Sequence, residues 1–324
     1  LRAGSSPALG TKIMNNEISN NHLEVNEVSF KKIISLCIDH KYIFSFVVAA
    51  ITIASLIFSL LLPNIYRAQV ILSPVSMDTN LASSLGGGLG GLASFAGIDI
   101  QSGNAKKTDE AVAILSSLEF FKIISNKNNL AVPLLASSGW NREKNSLKIK
   151  SNIYNESSKT WVRKPKSPRG VIPTDIELFE EFQEIFLVSK DSKTGFVILS
   201  LDFYSPHLAK KWLDSIVLEI NNLIRERDIT TAEKSISALN DRITKTNLSE
   251  VKNALSTLIQ EQTKTIVFAE STEEYAFITI SPAYVPEIKH SPSRALIVSL
   301  GLLLGITLGI FLILLINLRT KHYE

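Results

Sequence analysis

The sequence predicts an α+β chain in which two transmembrane helices flank an α/β base domain, with a long coiled-coil-like helical hairpin protruding from that base. Three observations carry the prediction. Uncharged apolar runs occupy residues 42–62 and 295–318, near opposite ends of the chain. Mostly polar sequence fills residues 63–293 between them. Within that stretch, residues 207–270 hold neither glycine nor proline while apolar residues recur at steps of three and four.

A bilayer core of about 30 Å needs about 20 apolar residues of helix, so each run is long enough to cross. The second contains 17 residues of Leu, Ile, Val or Phe and no Asp, Glu, Lys or Arg. The spans are placed at residues 42–62 and 294–318. Lys31, Lys32, His40 and Lys41 precede the first, and Arg319, Lys321 and His322 follow the second, whereas only Arg67 and Arg294 lie close in on the domain side. Positive charge marks the cytoplasmic flank, so residues 1–41 and the tail 319–324 are expected inside and residues 63–293 outside. A cleaved signal peptide fits poorly, because the first run exceeds an h-region of about 7–15 residues and no small-x-small site follows it. Residues 1–13 read as an appended scar or upstream read-through, with Met14 the more natural start.

Composition excludes several functions. A net charge of +3, without a basic stripe interleaved with aromatics, argues against nucleic acid. The single cysteine, Cys37, precedes the first span, so the external domain depends on packing or oligomerisation in place of disulfides. His22, His40, His207, His290 and His322 are scattered and form no triad or metal spacing. No catalytic, cofactor or metal residues are therefore assigned. Trp140, Trp161 and Trp212 offer sugar-stacking surfaces, but a core or amphipathic role fits them better.

The external chain begins with Tyr66-Arg-Ala-Gln-Val-Ile-Leu-Ser-Pro74, rich in β-formers and closed by proline, hence a strand. The glycine-rich stretch 83–97 lacks the Gly-Lys-Ser/Thr of a nucleotide loop, so it reads as a mobile loop whose Leu85, Leu89, Leu92 and Phe95 dock on membrane or a neighbouring subunit. One helix is expected over residues 108–126, with Asp109 and Glu110 in its first turn. A short helix follows Pro173-Thr174-Asp175, its Glu177, Glu180, Glu181 and Glu184 forming a solvated acidic face with no partner histidine. A hairpin over residues 185–188 and 195–203 and a strand over 275–280 complete the base, at residues 63–204 and 273–293.

The hairpin is assigned to residues 205–272. Its seam runs through Leu213, Ile216, Ile220, Leu223, Ile236, Leu239 and Ile243, then Val251, Leu255 and Ile259. An unbroken helix of that length would separate the flanking strands by about 95 Å. A turn near residues 245–248 avoids this, with Asn247 and Glu250 as a capping pair for the descending helix. Two helices leave part of such a seam uncovered, which predicts a homo-oligomer. Arg225, Glu226, Arg227 and Asp228 interrupt the seam and are candidate inter-subunit contacts, or else a solvated helix face.

Pro282, Pro286 and Pro292 pace a stiff connector into the second span. There Gly301, Gly305 and Gly309 repeat every four residues and bare the backbone on one face; Ala50 and Ala54 offer a matching small surface in the first span.

These features resemble the chain-length determinant (Wzz-type) family of polysaccharide co-polymerases over roughly residues 30–318. The segments that carry the resemblance are Tyr66-Arg-Ala, Asp109-Glu-Ala-Val-Ala-Ile-Leu-Ser-Ser117, Arg225-Glu-Arg-Asp-Ile229, Ala232-Glu-Lys-Ser-Ile236 and Glu261-Gln-Thr-Lys-Thr265. The Pro282-x3-Pro286-x5-Pro292 pattern running into the glycine-marked span is the most specific of them. The resemblance implies a bacterial inner-membrane protein with a periplasmic domain, without enzymatic activity, which sets the modal length of a lipid-linked surface polysaccharide such as O-antigen. It implies rings of identical protomers, an α/β base under a helical hairpin, contact with membrane lipid and a Wzy-type polymerase as partner. An alternative keeps the fold but assigns polymerisation or export of capsule or exopolysaccharide with a separate tyrosine kinase. The tail after Leu318 carries no Walker motif, so no fused kinase is expected, and it is too short for the output domain of a two-span sensor.

Overall fold

In the computed structural model, which describes residues 35–36, 38–75 and 102–320, the chain divides into two units. Residues 58–294 form one; the apolar helices, up to Ile57 and from Ala295 onward, form the other. The glycine-rich stretch 83–97 lies outside the described residues, as do residues 1–34, Cys37 and the last four residues.

Helix α1 (Lys41–Leu61) leads through Pro63 and Asn64 into strand β1 (Tyr66–Pro74). Helices α2 (Ser102–Leu115) and α3 (Leu118–Asn128) follow, where one continuous helix is expected from the periodicity. The break is chemical. Ser117 adopts an extended backbone and its hydroxyl accepts a hydrogen bond from Phe120 N, which caps a new helix. Because α2 starts at Ser102, Asp109 and Glu110 lie beyond its first turn, so the expected dipole interaction does not apply.

A short α4 (Ala131–Ala136) and two small antiparallel ribbons, β2 (Ser137–Asn141) with β3 (Ser146–Ile149) and β4 (Tyr154–Asn155) with β5 (Thr160–Trp161), come next. Helix α5 (Asp175–Ile185) is capped by Thr174, whose hydroxyl accepts from Glu177 N. Then β6 (Phe186–Lys190) and β7 (Val197–Phe203) form a hairpin whose turn needs the left-handed φ of +73° at Gly195. The long helix α6 (Pro206–Lys245), the returning α7 (Ser249–Ser271) and β8 (Phe277–Ser281) complete the unit, and α8 (Arg294–Thr320) is the second apolar helix.

The main sheet has the order β6-β7-β1-β8, antiparallel throughout. Alternation puts Ala68, Val70, Leu72, Val197, Leu199, Leu201 and Phe203 on one face, and all are buried. The cross-strand pairs Arg67–Asp202 and Gln69–Ser200 occupy the other, the first a bidentate ion pair at 2.6 and 2.7 Å. Helices α3, α5 and the inner part of α6 supply Phe121, Ile124, Phe182, Trp212, Leu213, Ile216 and Ile220 to the core. Trp212 is buried against Phe203, with ring centroids 4.5 Å apart, so it is a core residue and no sugar platform. Leu213, Ile216 and Ile220 thus belong to the base core, and only the outer turns of the expected seam pair α6 with α7.

Two polar groups hold the base together in ways the sequence reading did not anticipate. Buried Asn221 of α6 accepts from Ala276 N at 2.7 Å and Phe277 N at 2.9 Å, and its amide donates to Phe277 O at 3.2 Å. One side chain therefore satisfies the backbone where β8 begins. Glu177, expected on a solvated face, is buried and takes both Arg163 Nη groups, one at 2.6 Å. Arg163 also donates to the carbonyls of Val171 and Gly170 at 2.8 and 2.9 Å, tying the irregular segment before α5 to the helix. Glu180 remains exposed and meets Arg169 at 2.6 Å.

Asn221→Ala leaves one buried and one half-buried N–H group without this partner and should destabilise the protein by roughly 2–4 kcal/mol, read from chemical denaturation of the detergent-solubilised chain. The hydrogen bonds from Arg163 hold the Glu177 carboxyl below its usual range. A lowered folded-state pKa means that this stabilisation is whole at neutral pH. It fades as the pH drops into the ordinary carboxylate range and is gone below the lowered value. Glu177→Gln should cost roughly 3–5 kcal/mol at pH 7 and flatten the acid limb of stability against pH; an unchanged limb would exclude Glu177 as its source.

Candidate functional site

Among the described residues three places gather specific contacts: the root of the hairpin, the path into the second span, and the contact between the apolar helices. At the root, Arg227 pairs with Glu110 of α2 at 2.8 Å, and Asp228 accepts from the Tyr275 hydroxyl at 2.9 Å. Lys107 stands 3.9 Å from Asp228, and Arg225 donates to Asn222 on its own helix. Glu226 is exposed. Three of the four residues proposed as inter-subunit contacts are thus engaged within one protomer; Arg227 and Asp228 fasten α2 to the hairpin root, while Arg225 bonds only along its own helix. Burial, then the hydrogen bond to Asp228, raises the Tyr275 hydroxyl well above the usual phenol range. It stays protonated and remains a donor. The cleft among these residues measures about 90 Å³, well below the roughly 300–1,000 Å³ of small-molecule sites.

The two hairpin helices meet through a turn at residues 246–248, where Leu248 precedes α7 without a side-chain cap. The expected Asn247–Glu250 capping pair is not formed, because the helix begins one residue later than that pattern requires. Buried Ala232 and half-buried Ile236, Leu239 and Ile243 lie on α6; Leu255, Ile259 and Ile266, half-buried, and buried Ala269 lie on α7. Leu248, Val251, Leu258 and Val267 remain exposed, as do Ile278 and Ile280 on the open face of edge strand β8.

The strand expected at residues 275–280 begins at Phe277, since Tyr275 and Ala276 are committed to the hairpin root. After β8, Pro282, Pro286 and Pro292 keep the chain out of helix until α8. The connector does not stand clear of the base: Ala283 and Pro286 are buried. Its far end is stitched to the first residues after α1. Ile65 O accepts from His290 N at 2.8 Å and Ser291 N at 3.2 Å, and Ile65 N donates to Ser291 O at 2.9 Å.

Few residues of either apolar helix are fully buried, unlike core helices of a soluble protein, and each is long enough to cross a bilayer. In their unit, Gly301, Gly305 and Gly309 of α8 face α1. A Cβ on Gly301 would overlap the Ser55 side chain, and one on Gly309 would come within 2.8 Å of the Phe44 ring. At Gly305 the neighbour is backbone, Val48 Cα at 3.2 Å and Val48 O at 3.3 Å. Ala50 and Ala54 do not supply the opposing surface: both are exposed, since helical phase turns them away from the Phe44, Val48 and Ser55 stripe. Gly305→Leu should therefore cost roughly 1–3 kcal/mol of helix contact. In a cysteine-free background carrying Phe44→Cys and Gly309→Cys, it should sharply reduce disulfide formation between the spans. Undiminished cross-linking would refute that contact.

No family model matches the chain, and no curated protein matches it. Among solved structures, it is similar to a full-length bacterial polysaccharide co-polymerase, with 11% identity and a TM-score of 0.39, covering 91% of this chain and 98% of the other. It is also similar to a fragment of WzzB, a polysaccharide co-polymerase from Salmonella Typhimurium, with 9% identity and a TM-score of 0.31, covering 70% of this chain and all of that fragment.

Proposed function

We propose that this chain is a Wzz-type chain-length determinant, a non-enzymatic regulator that sets the modal length of a lipid-linked surface polysaccharide, with O-antigen as the glycan. In this reading it sits in the bacterial inner membrane with both termini cytoplasmic and residues 63–293 periplasmic. It assembles as a homo-oligomeric scaffold beside a Wzy-type polymerase.

The observation that carries the reading is a long helical hairpin with uncovered apolar residues, rooted in a sheet that is tied at two strands to the apolar helices. Strand β1 follows α1 almost at once, and β8 reaches α8 through a short connector. Leu248 and Val267 are 67% and 58% exposed, an arrangement that neighbouring copies of the hairpin would cover. The sequence segments described above and the basic flanks of the apolar runs support the same assignment and orientation. As a scaffold the protein needs no reacting groups. Its contribution is geometric, limiting how long polymerase and growing glycan remain associated.

The deciding experiment compares surface polysaccharide from cells with and without the protein, in the presence of its native polymerase. Loss of the protein should turn a clustered length distribution into a random, short-weighted ladder. Disappearance of surface polysaccharide would instead favour an export or assembly component, and an unchanged ladder would overturn the regulator reading.

A further inference from the structure

A second concavity has no part in the scaffold reading. It measures about 490 Å³ and lies within residues 58–294, lined by Tyr66, Trp140, Tyr204, Arg142, Lys148 and Arg294. The last leucines of α1 complete its wall, and no carboxylate lines it. Arg142 and Lys148 are exposed and make no ion pair among the described residues. Arg294 donates from Nη2 to Asn64 Oδ1 at 3.2 Å, but its Nε is buried without a hydrogen-bond partner.

Each element has a local reason to be there. The β2–β3 ribbon carries Trp140 and Lys148 on its strands and Arg142 in the turn between them, and Trp140 pairs directly with Leu147 across it. The Trp140 indole donates to Asn145 Oδ1 at 3.0 Å and meets the Tyr66 ring edge-on at 5.8 Å, which fixes its plane. Tyr66 opens β1 and Arg294 opens α8, so both stand where the apolar helices end. Ends of apolar spans lie at headgroup depth, the level at which Trp and Tyr concentrate. Three basic residues and no carboxylate in the lining favour an anion with several acceptor oxygens, and at that depth the abundant one is lipid phosphate. The aromatic wall gives the glycerol and first acyl carbons an apolar surface.

We propose that this concavity binds the phosphate headgroup of a membrane lipid, with Arg142, Lys148 and Arg294 as its ligands and Trp140 and Tyr66 against the adjoining carbons. The site is independent of any role in glycan length. It is tested by calorimetric titration of the full chain, in uncharged detergent, with dihexanoyl phosphatidic acid, dihexanoyl phosphatidylcholine and inorganic phosphate. Saturable binding of phosphatidic acid is expected, weakened about ten-fold in Arg142→Gln/Lys148→Gln, the loss corresponding to about one charge-assisted hydrogen bond. Arg142→Lys/Lys148→Arg keeps both charges and should retain most of the affinity. Both pairs lie at exposed positions, so thermal unfolding should be unchanged. Equal binding by the Gln variant, or no saturable binding, would overturn the proposal. Inorganic phosphate binding as tightly as phosphatidic acid would overturn its assignment to a lipid.

Discussion

The spacing of two helices against the spacing of three strands governs the architecture of residues 58–294. The hairpin departs from β7 and returns to β8, and β1 lies between them in the sheet. Two strand intervals span about 9.6 Å, and packed helices stand about 8–10 Å apart. A returning helix in contact with α6 therefore delivers the chain beside β1 on the side opposite β7 without a strained loop. This match makes β1, the first strand after α1, a central strand paired on both sides, and Asn221 locks the return at the point where β8 starts.

Electrostatics plays two different parts in the same unit. The exposed pairs, such as Arg227–Glu110 and Lys190–Asp109, are each worth about 0–1 kcal/mol and mainly set the register of α2 against its neighbours. The Arg163–Glu177 pair is nearly excluded from water, and its guanidinium also holds two backbone carbonyls. That arrangement anchors a segment which has little regular secondary structure to keep it in place.

Much of the fold was legible because it depends on long patterns. The absence of glycine and proline over residues 207–270 announces the hairpin, and the charge-free runs announce the apolar helices. Features resting on single side chains were not legible. The apolar periodicity runs unbroken across Ser116 and Ser117, so only the capping geometry reveals two helices there. Strands of two to five residues, as in the β2–β3 and β4–β5 ribbons, carry too little alternation to stand out. Asn221 left one trace, a polar pair between Ile220 and Leu223 in an otherwise apolar stripe. At the span contact, the four-residue glycine spacing marks a face of α8. Small residues on α1 are a poor guide to its partner face, because a bare glycine accommodates the bulk of Phe44 and Val48 as readily as another small residue.

The hairpin also implies a gradient in how readily the backbone opens. All but one of the buried residues of α6 lie in its first 16 positions, and Ala269 is the one buried residue of α7, close to the base. Beyond Ala232, among the described residues, the two helices pack chiefly on each other. Amide protons near the root should exchange with solvent only through unfolding of the whole unit, whereas those toward residues 246–248 escape through fraying of the tip alone. In an isolated protomer the outer hairpin is a separate cooperative segment, able to melt while the sheet stays intact; any contact that covers its exposed leucines and valines would merge it with the rest.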